Sequence, residues 1–284
     1  MASRSPRTRE AASRSPLAFF ALLFALSVPF WVTGAIVANP AGLPMGLPVS
    51  AFQFVLPLVV ACVLVYRRER WSGITALIRR TLSPRGSTRR AWWIPVVALV
   101  PAMMAATYAV MRLAGTAPRG SHSPLSAIPV LLIMYAVAAG CEEAGWMGYV
   151  FPPLRQRLGP LAAGLLVGVV WAVWHLVGFV QADRSALWIV GQCLSTVAIR
   201  VLMVWLFDVT GGIVLSAIIV HTLVNVTQSL FPGFTQRPAP AVVLGVVSML
   251  VVAASITWRQ VHERKQRRLR QVAGVRGGWK VGGK

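Results

Sequence analysis

The chain has 284 residues, 56% of them hydrophobic and 12% charged, and a mean hydropathy of +0.67. A water-soluble domain carries about 25% charged residues. The deficit argues against a soluble enzyme or binding module and, with repeated apolar runs near 20 residues, predicts an all-α polytopic membrane helix bundle. The formal net charge of +21 is concentrated beside apolar segments. That placement assigns the basic clusters to anionic lipid headgroups and topology setting, and no nucleic-acid partner is expected. Cys62, Cys141 and Cys193 fall inside apolar runs without CxxC spacing and read as packing residues, with no disulfide framework implied.

Residues 1–16 form a basic tail with Arg4, Arg7, Arg9 and Arg14 against Glu10. The apolar run 17–37 is longer than the roughly 7–15-residue core of a signal peptide, so it reads as a retained first span. An uncharged Pro/Gly-rich loop, 39–48, leads to a second span at 49–66. The most basic loop follows, with Arg67, Arg68, Arg70, Arg79, Arg80, Arg85, Arg89 and Arg90. Within it Trp71, Ile74, Leu77 and Ile78 recur at helical spacing, as in an amphipathic helix lying in the interface; a solvated loop is the alternative.

Further spans are predicted at 92–113, 126–143, 160–179, 187–207, 213–230 and 239–258, about eight in all. The transmembrane domain is 17–258, and 259–284 is a second basic tail. Basic residues gather in the two tails and in the loops after spans two and four. By the positive-inside rule this puts a multi-pass protein in the cell membrane with both termini cytoplasmic.

Few strongly polar side chains remain inside these spans: Glu142 and Glu143 in the fourth, His175 in the fifth, Arg200 in the sixth, His221 and Asn225 in the seventh. An ionisable group at the centre of a bilayer helix costs roughly 2.5–3.5 kcal/mol on insertion scales, so an adjacent acidic pair there points to function. Successive helical residues diverge by about 100°. Glu142 and Glu143 therefore point differently, one able to face a cavity while the other anchors its helix. His221 and Asn225 are four apart and share a face, as do Trp171 and His175. Gly164 and Gly168 give the fifth span a face where a neighbour can approach closely. Glutamate, two imidazoles and an amide suit hydrolysis by an activated water, with a metal as an optional acidifier. A proton relay in a transporter would use similar groups. HExxH, Gly-x-Gly-Asp and Gly-x-Ser-Gly are absent.

In this order the motifs resemble the CPBP family of intramembrane proteases, which includes CAAX proteases and bacteriocin-processing enzymes (the ABI family). Its pattern is EExxxR, then a histidine on a second helix, then HxxxN or HxxxD on a third. Here the parts read EEAGWM, VVWAVWHLVGF and HTLVN, and the resemblance covers a motif core of 128–230. It implies Glu142 as the base activating water, with His175 orienting that water or binding a metal. His221 and Asn225 would bind the oxyanion or complete the water site, and Glu143 would be a structural partner. Glu142, His175 and His221 would be the ligands if a divalent metal such as zinc is bound.

The chain departs from the family pattern at Met147, where the motif has arginine. Glu143 then needs another counter-ion, and Arg200 is the candidate; snorkelling, or pairing with Asp208, is its alternative. The resemblance implies a peptidase acting on a membrane protein or a lipidated or peptide substrate, from a site opening toward the cytoplasmic half of the bilayer. An inactive relative serving as a membrane scaffold, and a proton-coupled transporter, are the competing readings.

Overall fold

Ser15 starts the first helix: its hydroxyl accepts the Ala18 amide at 3.3 Å, and Pro16 occupies the first turn, where no amide donor is needed. From there the computed structural model, which describes residues 14–37, 44–85, 90–117 and 125–278, is helical, with no strand among them. The helices are α1 (Pro16–Ile36), α2 (Leu56–Leu82), α3 (Trp93–Leu113), α4 (Ile128–Gly145), α5 (Phe151–Leu158), α6 (Pro160–Gln181), α7 (Ala186–Val209), α8 (Val214–Leu230) and α9 (Pro238–Gly278). Short 3-10 turns precede α2, α3 and α4, and a π turn, Trp146–Val150, joins α4 to α5.

Seven helical stretches are long and apolar enough to cross a membrane, and α8, at 17 residues, is a shorter apolar helix. The chain is thus a polytopic membrane bundle of about eight crossings. Phe19, Leu23 and Ser27 of α1 face inward at one-turn spacing, while Leu26, Val28 and Val32 face out. At the centre stands α7: 61% of its apolar window is buried, against 22% for α1.

Glycine sets how closely helices meet α7. A Cβ on Gly168 would lie 3.1 Å from the Arg200 Cβ, and one on Gly164 would lie 3.1 Å from Val204. The small face read from the sequence is therefore the α6–α7 contact. Gly191 packs against the backbone of α9 in the same way.

The basic stretch after the second span is helical as far as Leu82, as its spacing predicts. It continues α2, broken only at Arg70 (φ 54°, ψ −151°). Its Leu77 edge is buried against Gly148 of the π turn, while Trp71 stays exposed. The stretch docks on the bundle because Gly148 leaves room for Leu77 and Thr81. Residues 1–13, the loop portion 38–43 and His122 lie outside the described residues, as does the His262 side chain. Beyond 258 the chain stays helical to Gly278, so the second basic tail begins as a continuation of α9.

Two ends of the bundle are defined by side chains that tie loops together. At one end Arg14 pairs with Glu69 at 3.8 Å, and Arg155 of α5 pairs with Asp208 of α7 at 2.8 Å. At the other, Arg184 donates to the backbone carbonyls of Met45 and, at 2.8 Å, Thr235, while the Trp188 indole donates to Phe234 O at 2.7 Å. The first end carries the basic clusters; the second is nearly uncharged.

Candidate active site

The site begins where α4 loses its regular register. Pro152 and Pro153 have no amide hydrogen, so neither an i+4 nor an i+5 backbone bond can reach the Gly148 carbonyl. That orphan is satisfied from outside, by Arg80 at 2.8 Å and Arg14 at 3.2 Å. Just before the π turn, Gly145 crosses the start of α2 so closely that a Cβ there would lie 2.5 Å from Pro57 O. Glycine, two prolines and two arginines thus fix the helix segment that carries both glutamates.

Glu142 and Glu143 diverge as their spacing predicts. Glu143 is fully buried. Arg200 grips it with both arms, Nη1 to Oε2 at 2.5 Å and Nη2 to Oε1 at 3.0 Å, and His221 Nδ1 lies 3.0 Å from Oε1. A two-pronged guanidinium–carboxylate pair is the strong form of such an interaction. Arg200 is itself 0% exposed, so it does not snorkel. Asp208, the alternative partner, is held by Arg155. Met147 is buried in the apolar core: the charge absent there is supplied from α7.

Glu142 turns toward a cavity and accepts the Trp171 indole N–H at 2.9 Å. Trp171 is a shared wall, with the Arg200 guanidinium 4.1 Å from its ring centroid and both imidazoles edge-on to it. Its role as a partner of both charged groups was missed from the sequence. The one signal was the four-residue spacing to His175, which set the indole beside the imidazole without naming the carboxylate.

Hydrogen bonding fixes which imidazole nitrogen is available. His175 Nδ1 lies 2.8 Å from the Trp171 carbonyl, which can only accept, so Nδ1 carries the proton. The carboxylate of Glu143, held by Arg200, places the His221 proton on Nδ1 as well. In both neutral rings Nε2 is then a lone-pair acceptor, and both residues line the cavity with Glu142 and Asn225.

The cavity is about 460 Å³. Its walls include Tyr135, Phe179, Trp188, Gln192 and Gln228, and it extends to Met45, Leu47, Arg184 and Thr235. These last belong to the nearly uncharged end, so the cavity leads away from the basic clusters. The loops flanking α6, α7 and α8 close around the mouth at this end. Among the described residues no group of three or more His, Cys, Asp or Glu side chains is arranged to hold a metal ion. Glu142, His175 and His221 line one cavity without forming such a group.

Fold and site define a multi-pass membrane protein with a carboxylate–imidazole centre buried in its bundle. Residues 124–227 match the family described as Type II CAAX prenyl endopeptidase Rce1-like. The chain is also 31% identical over 139 residues to CAAX prenyl protease 2 of Methanococcus maripaludis, across 46% of this chain and 50% of that protein. Both matches support the CAAX-protease (CPBP) family that the motifs resemble, the family match running from α4 through most of α8. The chain spans about half the length of the curated relative it matches.

Proposed function

We propose that this protein is an intramembrane endopeptidase of the cell membrane, with both termini cytoplasmic, that hydrolyses a peptide bond of a membrane-associated protein. The observation that carries the reading is the division of labour within the acidic pair. Glu143 is neutralised by Arg200, while among the described residues no cation pairs with Glu142, which faces a cavity shared with two imidazoles.

In this mechanism a water donates one O–H to the Glu142 carboxylate and the other to Nε2 of His175 or His221. Glu142 takes a proton as the water oxygen attacks the peptide carbonyl carbon. The Asn225 amide N–H meets the developing oxyanion. Neutral His221 has no proton on Nε2, so its part is to hold the water. Glu142 then returns the proton to the leaving nitrogen as the C–N bond breaks, giving a carboxylate and an amine. Glu143 and Arg200 touch no reacting atom and position His221. Every step uses the chain's own side chains.

The gathering of basic residues at one end of the bundle supports this membrane orientation by the positive-inside rule. Arg200 removes the main argument for an inactive scaffold, because Glu143 keeps a counter-ion despite Met147. The test compares membrane peptide termini in cells expressing wild type or Glu142→Gln. New termini are expected with wild type alone. Identical profiles, with both proteins folded and inserted, would leave the scaffold reading standing; flux driven by a pH gradient would favour a transporter.

A further inference from the structure

Apart from the cavity that holds the acidic pair, the bundle has a groove of about 490 Å³ where α6, α7 and α9 meet near their basic end. Val201 and Val204 of α7 and Val252 of α9 form its floor and are buried, whereas Leu161 and Leu165 of α6 form an edge and are each 43% exposed. No charged side chain lines it, and Ser255 on the wall donates its hydroxyl to its own helix, to Val251 O at 2.8 Å. The floor residues follow Arg200 by one and four positions. Whatever fills the groove therefore packs on the helix that supplies the Glu143 counter-ion.

Length narrows the choice of occupant. The groove runs from Pro160 to Leu165 along α6 and from Val252 to Gln260 along α9, about 8 Å and about 12 Å at 1.5 Å per residue. A partner's membrane-crossing helix would need a seat nearer the full hydrocarbon thickness of about 30 Å. One leaflet offers about 15 Å, so the groove suits the upper part of a single acyl chain.

The surroundings turn polar and basic at one end. Gln260 and Leu158 mark that end, and the exposed Arg157 stands next to Leu158. Arg155 is held by Asp208, but among the described residues no carboxylate pairs with Arg157. Past Gln260, the sequence of α9 runs on through Arg264, Lys265, Arg267 and Arg268. Trp205, which lines the groove, packs edge-on with Trp92 and Trp258 at ring-centroid distances of 5.9 and 6.3 Å. Tryptophan gathers where hydrocarbon meets headgroups, so this end of the groove lies at headgroup depth.

We propose that the groove binds an anionic glycerophospholipid, with one acyl chain between α6 and α9 on the valine floor and the phosphate on Arg157. A zwitterionic lipid carries its own cation beside the phosphate, so Arg157 favours a headgroup of net negative charge. The bound chain stiffens the α6–α7 contact and, through it, the seat of Arg200. The site rests neither on the peptidase reading nor on which leaflet the basic end faces.

The full chain, purified in an uncharged detergent, is titrated with dioleoyl phosphatidylglycerol or dioleoyl phosphatidylcholine, and bound lipid is counted by native mass spectrometry. Ala162→Trp fills the groove from an exposed lining position, Arg157→Gln removes the rim charge, and Arg79→Gln removes an exposed arginine elsewhere. Wild type and Arg79→Gln are expected to bind one phosphatidylglycerol in preference to phosphatidylcholine. Binding should weaken about five-fold in Arg157→Gln, the factor that one basic residue contributes at an anionic surface, and at least as much in Ala162→Trp. Equal affinity of wild type for the two lipids, unchanged binding in Ala162→Trp, or equal weakening in the two arginine variants overturns the proposal. A wild-type dimer that is lost in Ala162→Trp would show a second copy filling the groove and would overturn it too. Phosphatidylglycerol should also raise the Tm of wild type more than that of Ala162→Trp; an equal rise would contradict a lipid that braces α7.

Discussion

Arg200 reaches Glu143 across 57 positions of sequence and holds both carboxylate oxygens with both arms of its guanidinium. The pair is fully buried, and it leaves the neighbouring Glu142 facing the cavity. Breaking such a pair by removing one partner costs about 3–5 kcal/mol, because it leaves a buried charge uncompensated. Arg200→Leu is therefore expected to lower the apparent Tm in detergent sharply and to abolish activity. Arg200→Lys should fold better but stay impaired, since an ammonium cannot match the two-pronged geometry. Restoring the motif charge with Met147→Arg in the Arg200→Leu background should recover part of the lost stability. No recovery would mean that position 147 cannot reach Glu143 through the π turn.

The Trp171 indole N–H on Glu142 is a single neutral-to-charged hydrogen bond, for which a typical contribution is about 1.5–3 kcal/mol. Trp171→Phe keeps the aromatic wall but removes the donor, so turnover should fall by roughly 10-fold to 100-fold with little change in thermal stability. Trp171→Ala also removes the surface that supports Arg200 and both imidazoles, and its unfolding temperature should drop as well. Equal stability losses in the two variants would contradict the assigned role of the indole N–H.

Gly145 and Gly140 make a matched pair on α4. A Cβ at 145 would meet the Pro57 backbone, while one at 140 meets nothing within 4 Å. Gly145→Ala should cost about 1–3 kcal/mol, as inserting atoms into a packed contact does. Gly140→Ala should be neutral or slightly stabilising. Thermal unfolding of the two variants in one detergent checks the contrast.

The Gly148 carbonyl has two guanidinium donors. Arg14→Ala or Arg80→Ala alone leaves it satisfied, and each should be mild. The double variant strands a buried acceptor at a cost of about 1–3 kcal/mol and should loosen the π turn that aims both glutamates. Activity is expected to fall more in the double variant than the product of the single effects; simple multiplicativity would argue that the two arginines do not share this carbonyl.

Local spacing carried most of what was legible in the sequence. The four-residue steps from Trp171 to His175 and from His221 to Asn225, and the divergence of Glu142 from Glu143, follow from helix geometry alone. So does the Gly164–Gly168 face, although its partner helix could not be named. Other features depend on distant contacts. The π turn arises because prolines 152 and 153 orphan a carbonyl that Arg14 and Arg80, far back in the chain, then satisfy. Trp171 as the donor to Glu142 required knowing how α4 and α6 cross. The loops that close around the cavity mouth were not legible either, because helix direction alone does not say where they meet; the Arg184 contacts do.

The central claim is that Glu142 drives attack by water, and oxygen-18 labelling reads that step directly. Membranes containing the wild-type protein are incubated in H2 18O, and the carboxyl termini of newly released peptides are examined by mass spectrometry. The account predicts one oxygen-18 at each new terminus with wild type and none with Glu142→Gln, whose unfolding temperature should stay close to that of wild type. Labelled termini formed at the wild-type rate by Glu142→Gln would contradict it.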